Sequence, residues 1–375
     1  MILSVDGLTP VLTGIGRYTW ELAQRLPLVG DIEGIRFFCN RKWIKNPHDL
    51  LLPAGHLPHE QSRKKTGLRM RMPRWLKEAA LKRTCREQLF HGPNYFLPPC
   101  ADVGVITVHD LSVFKFPETH PLERIKQFER EFLRSVAQAS HLITDSEVMR
   151  QEVMSFLSWP GEKIKVVPLG VSSVFAPHPK KLVEPFLKNW GLMHDGYTLC
   201  VSTLEPRKKI SHLLQAYRAL PTQLRERFPL VLAGSRGWLS ETLHREIDRC
   251  VDEGWLRYLG FISENDLPLL FSGARLFVYP SGYEGFGLPV LEAMASGVPV
   301  VTSNRSSLPE VTQGAALLVD SDDIDALGSA IEAGLCDATW RATAMETGLA
   351  VAQRYTWERC IKETLCVYQR VYRHA

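Results

Sequence analysis

No Cys-x-x-Cys pair occurs among the eight cysteines scattered along the 375 residues. Their spacing excludes a dithiol redox or zinc-ribbon motif. Cysteines such as Cys39 and Cys200 sit in apolar runs and read as buried free thiols in a reducing compartment. No uncharged apolar run approaches the length of a membrane span. Net charge is scarce as well: 45 basic and 41 acidic side chains leave only +4, so nucleic acid is not an expected partner. Low-complexity tracts and repeats of solenoid period are missing. The opening Met-Ile-Leu-Ser-Val-Asp lacks the basic start and long apolar stretch of a signal peptide and reads as a buried strand. A cytoplasmic globular protein is the expectation. The length predicts two domains, and the 45% apolar fraction suffices for full cores.

Short β-rich apolar runs alternate with amphipathic stretches nearly throughout. That pattern predicts an α/β protein with parallel sheets covered on both faces. The predicted strands are 2–5, 35–39, 103–108, 142–144 and 165–167, then 199–202, 230–233, 256–259, 276–279, 298–302 and 316–319. The interval 172–184 holds Pro177 and Pro179, has no clear period, and reads as the link between domains. Residues 357–372 read as one terminal helix.

The most telling stretch is 282–300. Glu284 and Glu292 stand eight positions apart, separated by Gly285, Phe286, Gly287, Leu288 and Pro289, with an apolar run following. The expected element is a glycine turn, a helix N-terminus suited to Pro289, a short helix and a buried strand. Exposed amides and the positive end of a helix welcome an anion. Carboxylates flanking that anion are better placed to accept hydrogen bonds from sugar hydroxyls. A phosphate between two sugars describes a nucleotide-sugar.

Other constellations follow strand ends. Thr13-Gly14-Ile15-Gly16-Arg17 opens a helix after the first strand, and paired glycines let backbone approach a substrate. His109-Asp110 closes the strand 103–108, where α/β folds keep functional groups; a structural histidine is the alternative. Glu205-Pro206-Arg207-Lys208-Lys209 sets cations at a helix start, which is unfavourable unless an anion such as diphosphate lies nearby. Asp320-Ser321-Asp322 and Asp323-Ile324-Asp325 each match Asp-x-Asp, but they precede a helix and read as capping, so no metal is expected. Glu310 reads as a helix cap or a cleft residue. Residues 62–86 carry ten cations against Glu78, with Leu68, Met70, Met72, Trp75 and Leu76 interleaved. Such a segment suits an anionic membrane surface or polyanionic acceptor, or is a solvated loop and helix.

Together these motifs resemble the retaining glycosyltransferases of family 4, which have the GT-B fold, along the whole chain. The resemblance implies two Rossmann-like domains facing a central cleft, residues 1–172 plus a final helix 357–375 that crosses back, and residues 190–356. It assigns the donor ribose to Glu292, the region of the transferred sugar to Glu284, and a sugar hydroxyl to His109. Arg207 and Lys208 neutralise the diphosphate. Gly14 and Gly16 border it, as do Gly285, Phe286, Gly287 and Leu288, and Phe261 and Ile262 read the base through backbone. Arg17 and Asp110 fall on the acceptor side, with helix-surface arginine equally open for Arg17. Some relatives carry an arginine directly after the strand where this chain has Ser202 and Thr203, so that contact is absent or comes from Arg207.

The pattern further resembles bacterial O-polysaccharide mannosyltransferases, implying metal-independent α-mannosyl transfer from GDP-mannose to a lipid-linked oligosaccharide at the inner membrane face, with no cofactor. UDP-sugar donors remain open. A glycogen-type synthase is disfavoured by length. A sugar-nucleotide epimerase needs no acceptor, and a decayed binding scaffold would be expected to have lost Glu284, Lys208 or His109.

Overall fold

A computed structural model describes residues 1–30, 32, 34–52, 74–238 and 240–374. The strands of the first sheet are β1 (Ile2–Ser4), β2 (Arg36–Cys39), β3 (Lys42–Ile44), β4 (Leu89–Gly92), β5 (Val103–Val108), β6 (Ala139–Thr144) and β7 (Ile164–Val166). They run in the order β3-β2-β1-β4-β5-β6-β7, parallel except for the β2–β3 hairpin. The second sheet holds β8 (Thr198–Val201), β9 (Leu230–Ala233), β10 (Leu256–Gly260), β11 (Leu276–Tyr279), β12 (Val300–Ser303) and β13 (Ala316–Val319). Its order, β10-β9-β8-β11-β12-β13, is the doubly wound Rossmann order, parallel throughout.

The strands are parallel because helices cover both sheet faces, and their sequences are accordingly apolar on both sides. Every residue of β9, β11 and β12 is buried. The predicted strands fall within two residues of observed ones, apart from the amino end of β6. Two strands were not legible. β3 is a short edge strand with Lys42 exposed, the usual way an edge is blunted. β4, absent from the predicted strands, is a central strand whose His91 is wholly buried. That histidine is tolerated because Tyr368 Oη (2.6 Å) and Thr107 Oγ1 (2.9 Å) satisfy its two ring nitrogens. The interval 172–184 also contains the first turn of a helix, Lys180–Asn189.

The helix Trp357–His374 lies on the first sheet. Tyr368 reaches His91, and Arg25 Nη1 is 2.5 Å from Glu358. Trp357 is buried at the crossing, where residues 171 and 356 form a parallel bridge. One apolar cluster is continuous from Leu3 and Leu22 to Tyr368, Leu199 and Met294, so the halves share core. Both sheets reverse strand order, between β1 and β4 and between β8 and β11, and crevices at carboxyl strand ends form at such points. Residues 62–73 of the basic segment lie outside the described residues. Its carboxyl part is in the helix Arg74–Cys85 and just beyond, where Lys82, Arg83 and Arg86 are exposed.

Candidate active site

The turn after β8 supplies two cations and the turn after β11 a carboxylate. Lys208, 8% exposed, donates from Nζ to Glu284 Oε1 at 2.5 Å and to Tyr279 Oη at 3.0 Å. Tyr279 donates in turn to Glu284 Oε1 at 2.9 Å. Arg207 donates to the Tyr283 carbonyl (2.5 Å) and Glu205 (2.8 Å), with Glu284 Oε2 at 3.7 Å and Asp110 at 3.8 Å. Two cations therefore face three carboxylates. Burial alone pushes the Glu284 carboxyl up, but Lys208 and Arg207 outweigh it and hold it below the usual carboxylate range. Asp110 is held low likewise, by Arg207 and by the hydroxyl and amide of Ser112, against the effect of burial. A buried Arg–Lys pair this close is costly unless anions surround it, and Glu284, Glu205 and Asp110 fill that role here, so a bound phosphate would have to take the place of one of them.

Glycines let the second turn meet the first sheet. A Cβ on Gly285 would lie 1.6 Å from the His109 carbonyl oxygen, so only glycine fits there. Gly287 has φ +105°, and a side chain on it would strike Leu308. It opens the helix Leu288–Ala295, so the amino end of that helix follows Glu284 by only a few residues. Ser306 and Ser307 grip this loop: the Ser306 hydroxyl donates to the Glu284 carbonyl (2.5 Å), and the Ser307 hydroxyl shares its one proton between that carbonyl (2.9 Å) and the carbonyl of Phe286 (2.8 Å). Phe286 is buried against Tyr355.

Across the seam, His109 is buried, with both ring nitrogens engaged. Nε2 is 2.8 Å from the Pro93 carbonyl, which only accepts, and Nδ1 is 2.6 Å from Asp145. Burial lowers the imidazole, but Asp145 overrides it and raises it above the ordinary histidine value, while burial raises the Asp145 carboxyl as well, so the pair holds one proton between Nδ1 and the carboxyl. For His109 to reach a sugar hydroxyl, as expected from sequence, it must exchange the bond to Pro93. Asp145 escaped the sequence reading, although Thr144-Asp145-Ser146 ends β6 just before a helix capped by Ser146.

Three further contacts tie the halves together. Ser146 Oγ donates to the Gly285 carbonyl at 2.8 Å. Glu310 accepts from the amides of Glu147 (2.8 Å) and Val148 (3.1 Å), capping a helix of the opposite half. It is thus a helix cap and a seam residue at once. Tyr283 inserts its ring among residues of the first half, and its hydroxyl donates to Glu152 at 2.5 Å. None of these partners could be read from sequence, because each lies more than 130 residues away.

Glu292 sits apart from this cluster. Though partly open to solvent, it is enclosed enough that burial pushes its carboxyl up to about 8, with Arg17 pulling down and Glu264 pushing up. Arg17, expected on the acceptor side, is ion-paired with Glu264 at 2.5 Å and so faces the turn that follows β10. In that turn Phe261 is half exposed and Ile262 buried. Gly14 is exposed at the helix start, while the Gly16 amide is engaged by the Thr13 cap at 3.4 Å. Asp323 caps the helix Ile324–Cys336, as expected of the Asp-x-Asp stretch, while Asp320 and Asp322 pair with Arg305. Among the described residues no group of three or more His, Cys, Asp or Glu is placed to hold a metal ion. No helix among them is long and apolar enough to cross a membrane.

The family profile of Glycosyl transferases group 1 matches residues 188–346. The O-antigen chain mannosyltransferase B of Escherichia coli is 38% identical over 378 residues, covering 98% of this chain and 99% of that protein. The chain belongs to the group 1 glycosyltransferases. Another relative of this glycosyltransferase is the O-antigen chain mannosyltransferase RfbU of Salmonella typhimurium, 25% identical over 88% of this chain and 90% of that one. Among solved structures, Anabaena Alr3699/HepE in complex with UDP and glucose superposes with TM-score 0.71 at 17% identity, covering 98% of both chains. WaaG, a glycosyltransferase involved in lipopolysaccharide biosynthesis, gives 0.71 at 14% identity, over 97% of this chain and 98% of that one. The glycosyltransferase thus has the GT-B fold.

Proposed function

We propose that this enzyme transfers mannose, with retention, from GDP-mannose to a hydroxyl of a lipid-linked oligosaccharide during O-antigen-type polysaccharide assembly. The observation that carries the reading is the buried pair Arg207–Lys208 facing Glu284 beside the amino end of the helix Leu288–Ala295. Near full-length likeness to proteins named O-antigen chain mannosyltransferases supports the choice of mannose and of polysaccharide.

Residues 190–356 hold the donor and residues 1–172 the acceptor. When the sugar–phosphate bond breaks, negative charge develops on the departing diphosphate. Lys208, Arg207 and the amides near Gly285–Leu288 lie where they can take that charge, and preorganised donors of this kind accelerate bond breaking most. Two cations in one buried site supply what a divalent ion otherwise would, so the reaction runs without added metal. A phosphate drawing on Lys208 loosens its bond to Glu284, whose carboxylate then accepts a hydroxyl of the transferred sugar. Glu292 receives the ribose hydroxyls, and the turn at Phe261–Ile262 meets the base. No carboxylate serves as nucleophile. The acceptor hydroxyl attacks from the face the diphosphate leaves, and its proton passes to the departing phosphate oxygen. The protein works at the cytoplasmic membrane surface, touching it through 62–86.

The test is transfer from GDP-mannose to octyl glycosides in the presence of EDTA, with the product's anomeric configuration read by NMR. An α-mannoside supports the reading. Transfer from UDP-sugars alone discards mannose, a β-product discards retention, and loss of activity in EDTA discards metal independence.

A further inference from the structure

A second polar cluster lies at the seam, one hydrogen-bond chain away from Arg207. His120 is 5% exposed and follows Thr119 in the loop of the first half. Its Nε2 is 3.0 Å from Ser112 Oγ, and that hydroxyl donates to Asp110 Oδ1 at 2.7 Å. The serine proton being committed, Nε2 must carry the histidine proton and donate to Oγ. Burial, with Arg124 and Arg207 nearby, lowers the ring below the ordinary histidine value and keeps it neutral, so Nδ1 presents a lone pair. Nδ1 is buried and has no hydrogen-bond partner among the described residues. Arg124 Nε, in the helix Leu122–Gln138, is likewise buried and unpartnered. Buried groups of this kind are nearly always satisfied by something.

The wall of this cluster comes from the other half. Trp238 follows β9 and donates from Nε1 to the Thr119 carbonyl at 2.5 Å. Its ring lies 5.7 Å from that of His120, and the Arg124 guanidinium sits 5.6 Å from the indole centroid. An unpartnered lone pair, an unpartnered N–H and an indole thus share one cluster, completed only when the two halves meet. A hydroxyl both donates and accepts, and the pyranose ring that carries it has apolar C–H faces; these match one acceptor atom, one donor atom and an indole. Arg17 is turned to Glu264, so it does not compete for this place.

We infer that His120, Arg124 and Trp238 form the subsite for the acceptor's receiving saccharide, next to Asp110 and Arg207. The inference rests on the glycosyl-transfer reading above but not on the identity of the donor. The test uses whichever sugar nucleotide the wild-type protein turns over and the best acceptor among octyl α-mannoside, octyl N-acetylglucosaminide and octyl galactoside. Arg124→Gln and His120→Ala should each raise the acceptor KM roughly tenfold or more, while calorimetric affinity for the free nucleotide stays within a factor of about two. Trp238→Phe should be affected less than Trp238→Leu. An unchanged acceptor KM overturns the subsite, as does nucleotide affinity falling in step, or failure of every glycoside as acceptor. Wild-type failure to use GDP-mannose would overturn only the donor assignment.

Discussion

Replacing Lys208 with methionine keeps most of the side-chain volume and removes the ammonium. Glu284, 8% exposed, then keeps Tyr279 Oη at 2.9 Å but loses its 2.5 Å ion pair, and Arg207 remains 3.7 Å away. Breaking a buried pair by deleting one partner costs about 3–5 kcal/mol, and the nearby Arg207 argues for the lower end. For a domain of this size, about 3 kcal/mol lowers Tm by roughly 6–12 °C. The same change should cut kcat by roughly 10²–10³, since one charge-stabilising donor is gone. Adding Glu284→Gln to Lys208→Met removes the stranded carboxylate and should restore most of the stability without restoring activity. Differential scanning calorimetry of wild type, both single variants and the double variant measures the coupling. A Tm unchanged in Lys208→Met, or a double variant no more stable than that single one, would refute the idea that Glu284 and Lys208 are mutual counter-ions.

Gly285→Ala places a methyl 1.6 Å from the His109 carbonyl, so the halves must part; nucleotide affinity should hold while kcat falls by roughly 10²-fold, with a larger radius of gyration in solution scattering. Glu310→Gln removes a charge from the amino end of the helix Glu147–Leu157 and should cost about 0.5–1 kcal/mol, with faster amide exchange at Glu147 and Val148. Glu292, raised to about 8, holds its proton while the unfolded chain ionises above about 4.3. Wild-type stability relative to Glu292→Gln should therefore fall as pH rises between those values and level off above 8; a flat difference across a pH series of melts would contradict the burial of that carboxyl.

Much of the fold was legible because parallel strands buried on both faces announce themselves as continuous apolar runs. The exceptions have local causes. β4 carries a buried histidine that only tertiary partners make tolerable, and β3 is a charged edge. Arg207 and Lys208 stood out in the sequence by their adverse placement at a helix start and Glu284 by its spacing from Glu292; the structure brings the three into one ion-paired cluster. What sequence could not show is the seam. Tyr283 and Glu310 find their uses only when distant segments meet, and the hydroxyls of Ser306 and Ser307 reach back more than 20 positions to one carbonyl. Arg17 had two open readings from sequence; its pairing with Glu264 depends on how the halves close.

The most direct measurement is calorimetric titration of GDP, UDP and ADP into the wild-type protein and Lys208→Met, with EDTA present. GDP should bind most tightly, and lose roughly tenfold or more in affinity when the lysine is gone. A preference for UDP, equal binding by Lys208→Met, or no binding without metal would contradict it.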